Sequence, residues 1–487
     1  MPSTPFFPAW RCHLAPMRTS TAQALRRVRA HTLARLETSF APWLPNDLFP
    51  KTPTGPNSRD RHYTARRTFW CALWRAFNPQ APGREVVRQL QALFALENGP
   101  ALSGQDGACC RAKARLPVCE WKRAWVATAQ TAQRKAPVPT LLQGRVVKVV
   151  DGSALTLPDT PQHRVAYPPF QCPDKPCFPM MRVVVLFSLA CGAITARAQG
   201  NLGDSELALW RTLQPPLNRG DILIGDRGFG CYPLIAWLLR ALGVDFIGRT
   251  PRHLDGRRRC QRLAHNDWLI RWKQGAQASA WLEADVWAQL PTQITLRVVK
   301  GRCYQKGFRV RQVTVVTTLL DAQRYPAQDI LPAYRRRWRL EMCLDDLKTT
   351  LHMDLLRSRS PVMAEKEVYS RLIAHNLIRA LLAETAATQE VPMERLSFKG
   401  ALDALRHFSV AMSRVRRQHK RQRLWQHPLE TLAADQVPER PGRREPRAVK
   451  RRKTKYARLN VPRHQFRDPL KRHVRRTLAR LRKLGLM

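Results

Sequence analysis

Asp151, Asp226 and Glu341 are the carboxylates whose placement suggests shared chemistry. The first closes a β-rich run from Arg145 to Val150, the second follows a strand-like run from Asp221 to Gly225, and the third lies inside a long helical stretch. Three carboxylates facing one cleft would bind two divalent, oxygen-seeking cations, an arrangement that activates water and stabilises the leaving oxygen in phosphodiester chemistry. Either aspartate taken alone reads more simply as a turn residue.

The helix around Glu341 narrows the choice. At roughly 100° per residue, Tyr334, Arg337 and Lys348 fall at about +20°, −40° and −20° from Glu341, so a phenol and two cations would flank one carboxylate on a single face. That stripe would run roughly 21 Å, enough to track several backbone phosphates. The plain structural alternative is an i,i+4 ion pair of Arg337 with Glu341, worth about 0.3–0.5 kcal/mol.

These residues sit on a patterned chain. After Gly144 a β-rich run ends at Asp151, and Met181–Ala190 and Ala193–Ala198 flank Cys191-Gly192 as a hairpin. Asp204 is placed to cap a helix through Leu213, and the strand ending at Asp226 comes next. A helix from Tyr232 to Leu242, closed by Gly243, leads to a strand over Val244–Gly248. The order is β-β-β-α-β-α-β. Residues 249–326 read as a β-rich insertion, with strands over Gln293–Lys300 and Phe308–Leu319. A helical stretch from Pro332 through Met353 follows, then another from Pro361 to about Thr385.

Before this core, residues 1–139 read as helical. Trp70, Leu73, Trp74 and Phe77 form one apolar stripe, and Val86, Val87, Leu90, Leu93 and Phe94 form a second. A short cationic segment follows with Arg111, Lys113 and Arg115, an order similar to a helix-turn-helix DNA reader. The alternative is a helical cap with a solvated basic face.

Charge points to the partner. Lys and Arg number 84 against 36 Asp and Glu, a formal +48 over 487 residues, so a polyanion is expected. Residues 414–487 alone hold 25 Lys and Arg against 5 Asp and Glu, which makes them a basic tail. The longest mostly apolar run, Val183–Cys191, is far short of the ~20 residues that span a bilayer. Arginines also interrupt any signal-like core in the first thirty residues, so a cytoplasmic protein with no membrane partner is expected. Of the twelve cysteines, most stand singly in apolar runs. They read as reduced thiols rather than as disulfides or a zinc site.

Tyr334-x2-Arg337-x3-Glu341-x6-Lys348 resembles, spacing for spacing, the Y-R-E-K signature of the DDE transposases encoded by bacterial insertion sequences. Asp226-Arg227-Gly228-Phe229 resembles their second-aspartate motif and Asp151-Gly152-Ser153 their first. Glu445–Arg452 is similar to a basic motif near the end of many such proteins. The resemblance runs from the N-terminal helices to about Arg463. It implies an α/β fold: an RNase H-like mixed sheet flanked by helices, split by the β-rich insertion, between an α-helical DNA-end-binding region and the basic C-terminal region. The core would occupy residues 140–248 and 327–413.

By the same resemblance Asp151, Asp226 and Glu341 would be catalytic and hold two Mg²⁺, with Mn²⁺ able to substitute. Tyr334, Arg337 and Lys348 would grip the transposon-end backbone, and Arg111, Lys113 and Arg115 would add DNA contacts. The DNA partners would be the terminal inverted repeats and the target, met by a homodimer on paired ends near the nucleoid. Where better-known members place a base-stacking tryptophan in the insertion, this sequence has Val313 before Thr317. The resemblance therefore carries over metal-dependent cleavage and strand transfer without fixing a hairpin route. Two rival readings are a non-catalytic DNA-binding protein and an RNase H-like nuclease that cleaves without joining.

Overall fold

In the computed structural model, residues 36–438 are described except 38, 52–53, 56–57, 59–60, 97–98, 138–141, 170–177, 214, 251–258, 303–311 and 413–417; beyond them only Ala479 and Arg482 are described. The basic segment Glu445–Arg452 and nearly all of the tail lie outside these residues.

The centre is a nine-stranded mixed sheet. Strands β1 (Val147–Thr156), β2 (Met180–Ser188), β3 (Ile194–Asn201), β4 (Ile222–Ile224) and β5 (Asp245–Gly248) form its first half, in spatial order 3-2-1-4-5. β2 runs antiparallel to both β1 and β3, whereas β1, β4 and β5 are mutually parallel. This is the RNase H-like arrangement. The parallel strands are apolar on both faces because helices cover both sides. Val149, Ile224 and Ile247 enter one core, and Val150, Leu223 and Phe246 enter the other.

The insertion is β-rich as expected, but it extends the same sheet. Its strands are β6 (Arg259–Ala264), β7 (Asp267–Lys273), β8 (Gln293–Arg302) and β9 (Gln312–Thr317), and β9 pairs antiparallel with β5, giving the order 5-9-8-7-6. Periodicity missed β6 and β7. A buried ion pair joins β7 to β8, with Arg297 Nε donating to Asp267 Oδ1 at 2.8 Å.

Helices α1 (Ala65–Phe77), α2 (Gly83–Leu96), α3 (Gly107–Arg115) and α4 (Val118–Lys135) precede the sheet; α4 lies in the stretch read as helical, though no apolar stripe singled it out. After β1 come α5 (Pro161–Ala166), α6 (Glu206–Thr212), α7 (Tyr232–Trp237) and, within the insertion, α8 (Ala284–Ala288). Asp204 does not cap α6. It accepts the Asn201 N–H at 2.8 Å, closing the preceding turn, while Ser205 caps the helix through the Ala208 N–H at 3.1 Å. The helix from Tyr232 loosens into a π turn at Leu238–Leu242, and Gly243 ends it at φ 61°, the left-handed conformation that favours glycine.

Past the insertion, α9 (Ala327–Arg335) and α10 (Trp338–Asp345) precede α11 (Pro361–Thr388), and α12 (Phe398–Met412) and α13 (Gln418–Ala434) follow. α11 is buried nearly all round and packs against α1 and α4, with Leu372, Ile373, Leu377 and Leu381 inaccessible to solvent. A helix apolar on every face must lie inside, and here it joins the N-terminal helices to one side of the sheet.

Candidate active site

Strand register places the first two aspartates. β1 pairs with β4 at Val149↔Ile224, and β4 with β5 at Ile224↔Ile247. Two residues further along each strand stand Asp151, Asp226 and Arg249, one row across the carboxyl ends of three parallel strands. Side chains alternate along a strand, so this row shares the face of Val149, Ile224 and Ile247. Asp151 does not end its strand as the sequence suggests. Parallel pairing to β4 stops at Val149, and the strand continues to Thr156 along β2, with its last residue bridged on the other edge by Thr156 N–H to Asp354 O at 2.9 Å. Between Val149 and Thr156 that edge of β1 carries no strand pairing among the described residues.

Local hydrogen bonds orient both carboxylates. Asp226 Oδ1 accepts the N–H groups of Gly228 at 2.8 Å and Phe229 at 3.3 Å, and Asp151 Oδ1 accepts that of Gly152 at 2.9 Å. Gly230 lies against the backbone oxygen of Arg249, where a Cβ would not fit, so the loop after β4 seats on the end of β5. Burial pushes the Asp151 carboxyl up to about 6. The charges of Asp226 and Glu206 push the same way, and the Gly152 N–H and the Arg337 guanidinium oppose them.

From the helical side, Tyr334 is buried at the end of α9, and the Arg337 guanidinium lies 6.0 Å from its ring centroid. Burial raises the Tyr334 phenol. Arg337 and Arg249 lower it and Asp226 raises it, so these groups share one electrostatic neighbourhood. Glu341 is half exposed and accepts from Arg337 Nη2 at 3.3 Å. It lines a groove of about 680 Å³ with Arg335, Arg336, Trp338 and Arg339. Arg337 thus stands between Glu341 and the aspartates. Among the described residues no three His, Cys, Asp or Glu side chains stand close enough to share an ion.

The single stripe expected over Tyr334–Lys348 is not one α-helix. The Arg337 N–H bonds Tyr334 O at 3.1 Å and that of Arg339 bonds Arg336 O at 2.9 Å, a 3₁₀-like tightening between α9 and α10. Residues Asp346–Thr350, including half-buried Lys348, form a π turn closed by Leu351 N–H to Asp346 O. Cys343, Leu347 and Leu351 are all buried at intervals of four residues. An α-helix gains about 40° over each such interval, and looser winding keeps the three on one line.

Glu206 is the residue that sequence reasoning missed. It opens α6, and its carboxylate occupies the place a Cβ at Gly152 would take. Burial raises its pKa, and so does the charge of Asp226. An acidic first turn is so common that the sequence offered no signal.

A family profile described as Transposase DDE domain matches residues 142–377. The transposase InsG of insertion sequence element IS4 from Escherichia coli K12 is 25% identical over 333 residues, covering 67% of this chain and 72% of that protein. Residues 142–377 form a DDE transposase domain. A putative transposase, InsL of element IS186A from the same organism, is 32% identical over 80 residues, 16% of this chain and 22% of its own. The solved piggyBac transposase synaptic complex with hairpin DNA aligns over 85% of this chain and 86% of that one, with 10% identity and a TM-score of 0.37.

Transposases of this family depend on divalent metal. The residues here suit such an ion: the donors are hard carboxylate oxygens, backbone N–H groups orient each aspartate through its Oδ1, and the mutual repulsion of the aspartates is what a cation would relieve.

The expected N-terminal DNA contacts of the transposase divide. Cys109, Ala112, Lys113 and Leu116 make the inward stripe of α3, so Lys113 turns toward the protein interior. Burial pulls its amine down to about 8, against the attraction of Glu367. Arg111 is exposed and Arg115 half-buried at the surface. No helix among the described residues is long and apolar enough to cross a membrane.

Proposed function

We propose that this transposase cleaves DNA at the terminal inverted repeats of its insertion sequence and joins the freed 3′-hydroxyl to target DNA, using Asp151, Asp226 and Glu341. The observation carrying the assignment is the Asp151–Asp226 row at the ends of β1 and β4, faced by Arg337 from the helical side. A bound pair of Mg²⁺ ions, or Mn²⁺ in their place, would activate the attacking oxygen and stabilise the leaving one.

The chain's own groups do the rest. The turn at Gly228 and Phe229 fixes the Asp226 carboxylate, and the Gly152 N–H fixes that of Asp151. Arg337 and Lys348 supply cationic donors for the phosphate backbone, and Tyr334 backs Arg337. Arg337 now pairs with Glu341, so transfer of its guanidinium to a phosphate would free that carboxylate for the aspartates. Arg111, Arg115 and the basic residues after 439 extend the contact to flanking DNA, while Lys113 serves inside the fold. Two ends joined in one event need two active sites, so a homodimer forms on paired ends. The five-part division stands with it: DNA-end binding by residues 1–139, a core of 140–248 and 327–413 split by the insertion 249–326, and a tail over 414–487. The protein works in the cytoplasm, at the nucleoid.

A paired-end strand-transfer assay tests this reading. Asp151→Asn, Asp226→Asn and Glu341→Gln should each lose cleavage by at least roughly 100-fold while end binding holds. Cleavage near wild type would remove that residue from the site, and cleavage without joining would favour the nuclease.

A further inference from the structure

Away from the carboxylates, α1 and α3 bring cysteines together beside α11. Cys71 on α1 is 1% exposed, and Cys109 on α3 is half-buried. The two thiols interact, and charge on Cys109 raises the Cys71 thiol. They border a cavity of about 50 Å³ lined also by Cys110, by the cations Arg75, Lys113 and Arg371, and by the carboxylates Asp106 and Glu367. Thr68 and Arg371 each carry a buried polar atom without a partner, Oγ1 and Nε. Three cations, two carboxylates and three thiols therefore line one small space.

We propose that Cys109 is a site of oxidation by hydroperoxides, with Cys71 as its resolving thiol. A nucleophilic thiol needs its thiolate stabilised, a path for the oxidant and a second thiol in reach. The Cys71 S–H, Lys113 and Arg75 favour the Cys109 thiolate; burial and Asp106 oppose it. The cavity is large enough for a molecule the size of hydrogen peroxide, which occupies little more space than the ~30 Å³ of a water. Cys71 is pushed well up, first by the hydrogen bond to Cys109 and then by burial, so it remains the protonated partner.

The Cys109 thiolate attacks one peroxide oxygen, the O–O bond breaks and hydroxide leaves, giving the sulfenic acid. The Cys71 sulfur then attacks the Cys109 sulfur and the S–O bond breaks. The departing hydroxyl takes the Cys71 proton as water, and the hydroxide from the first step is neutralised by solvent. Overall, two thiols and one peroxide give one disulfide and two waters. The bond would staple α1 to α3, the helix that carries Arg111 and Arg115.

The test treats the reduced full-length protein with hydrogen peroxide, quenches with N-ethylmaleimide and maps peptides by mass spectrometry. Exposed Cys119 and Cys260 serve as internal references. The expected result is a Cys71–Cys109 crosslink forming at least ~10-fold faster than either reference is modified, unchanged in Cys110→Ser. In Cys71→Ser, dimedone should trap a sulfenic acid at Cys109, and Cys109→Ser should abolish the crosslink. Oxidation of Cys119 or Cys260 as fast as Cys109, or crosslinking of Cys109 only to some other cysteine, would overturn the proposal. The wild-type mapping decides this even if a serine variant fails to fold.

Discussion

Removing the Asp151 charge should stabilise the metal-free fold while abolishing cleavage. In the folded chain this carboxyl titrates near 6 against an ordinary 3.8, chiefly through burial. About two pKa units, at 1.36 kcal/mol each, put the penalty at roughly 3 kcal/mol once both states are ionised. The folded pKa lies above the unfolded one, so the folded state binds the extra proton and wild-type stability falls as pH rises between 3.8 and 6. The penalty is full above that window and absent below it. Asparagine keeps the acceptor for the Gly152 N–H and carries no charge. Asp151→Asn should therefore gain about 3 kcal/mol at pH 8 but only about 1 kcal/mol at pH 4.5. For a chain of this size the larger value is a rise of roughly 3–6 °C in Tm. Differential scanning calorimetry in EDTA at both pH values measures it. Mg²⁺ added at pH 8 should raise the Tm of the wild type and not that of the variant. A variant no more stable than wild type at pH 8, or one equally stabilised at both pH values, would refute the burial and repulsion assigned to Asp151.

His375 is wholly buried, with burial depressing its imidazole to about 3, so its contribution is complete above pH 6.5 and is lost as pH falls below that. His375→Gln should flatten the stability–pH slope by up to about 1.4 kcal/mol per unit between pH 6 and 4, seen in urea melts. Arg297→Met strands Asp267 in the sheet and should cost about 3–5 kcal/mol, whereas adding Asp267→Leu should restore much of the loss in the same melts. Deleting residues 440–487 removes 19 Lys and Arg against 2 Asp and Glu, so the slope of log K against log salt for nonspecific DNA should become shallower, as fluorescence anisotropy would show.

By itself, the sequence determined the alternation of strands and helices through β5, apart from the short α5 in what reads as a Pro-rich loop, and it singled out Asp151, Asp226 and Glu341 as candidates and a polyanion as partner. Each rests on local information: apolar period, the helix stop at Gly243, summed charge, and motif spacing. The structure adds that Asp151 and Asp226 share a row, because parallel register between β1 and β4 is a long-range pairing that periodicity cannot fix. Glu206 enters the same neighbourhood through the missing Cβ of Gly152, a contact between residues 54 positions apart. Lys113 reads as a surface cation until α11 arrives, since a residue on the Cys109–Leu116 stripe turns inward only when there is a core to turn toward. The Glu341 helix shows the same limit. A uniform 100° per residue put Tyr334, Arg337, Glu341 and Lys348 on one line, but burial of Cys343, Leu347 and Leu351 favours looser winding and divides that line. Packing free energy summed over many buried contacts outweighs the small cost of local departures from ideal helix geometry, so which side chains finally meet was decided by tertiary structure.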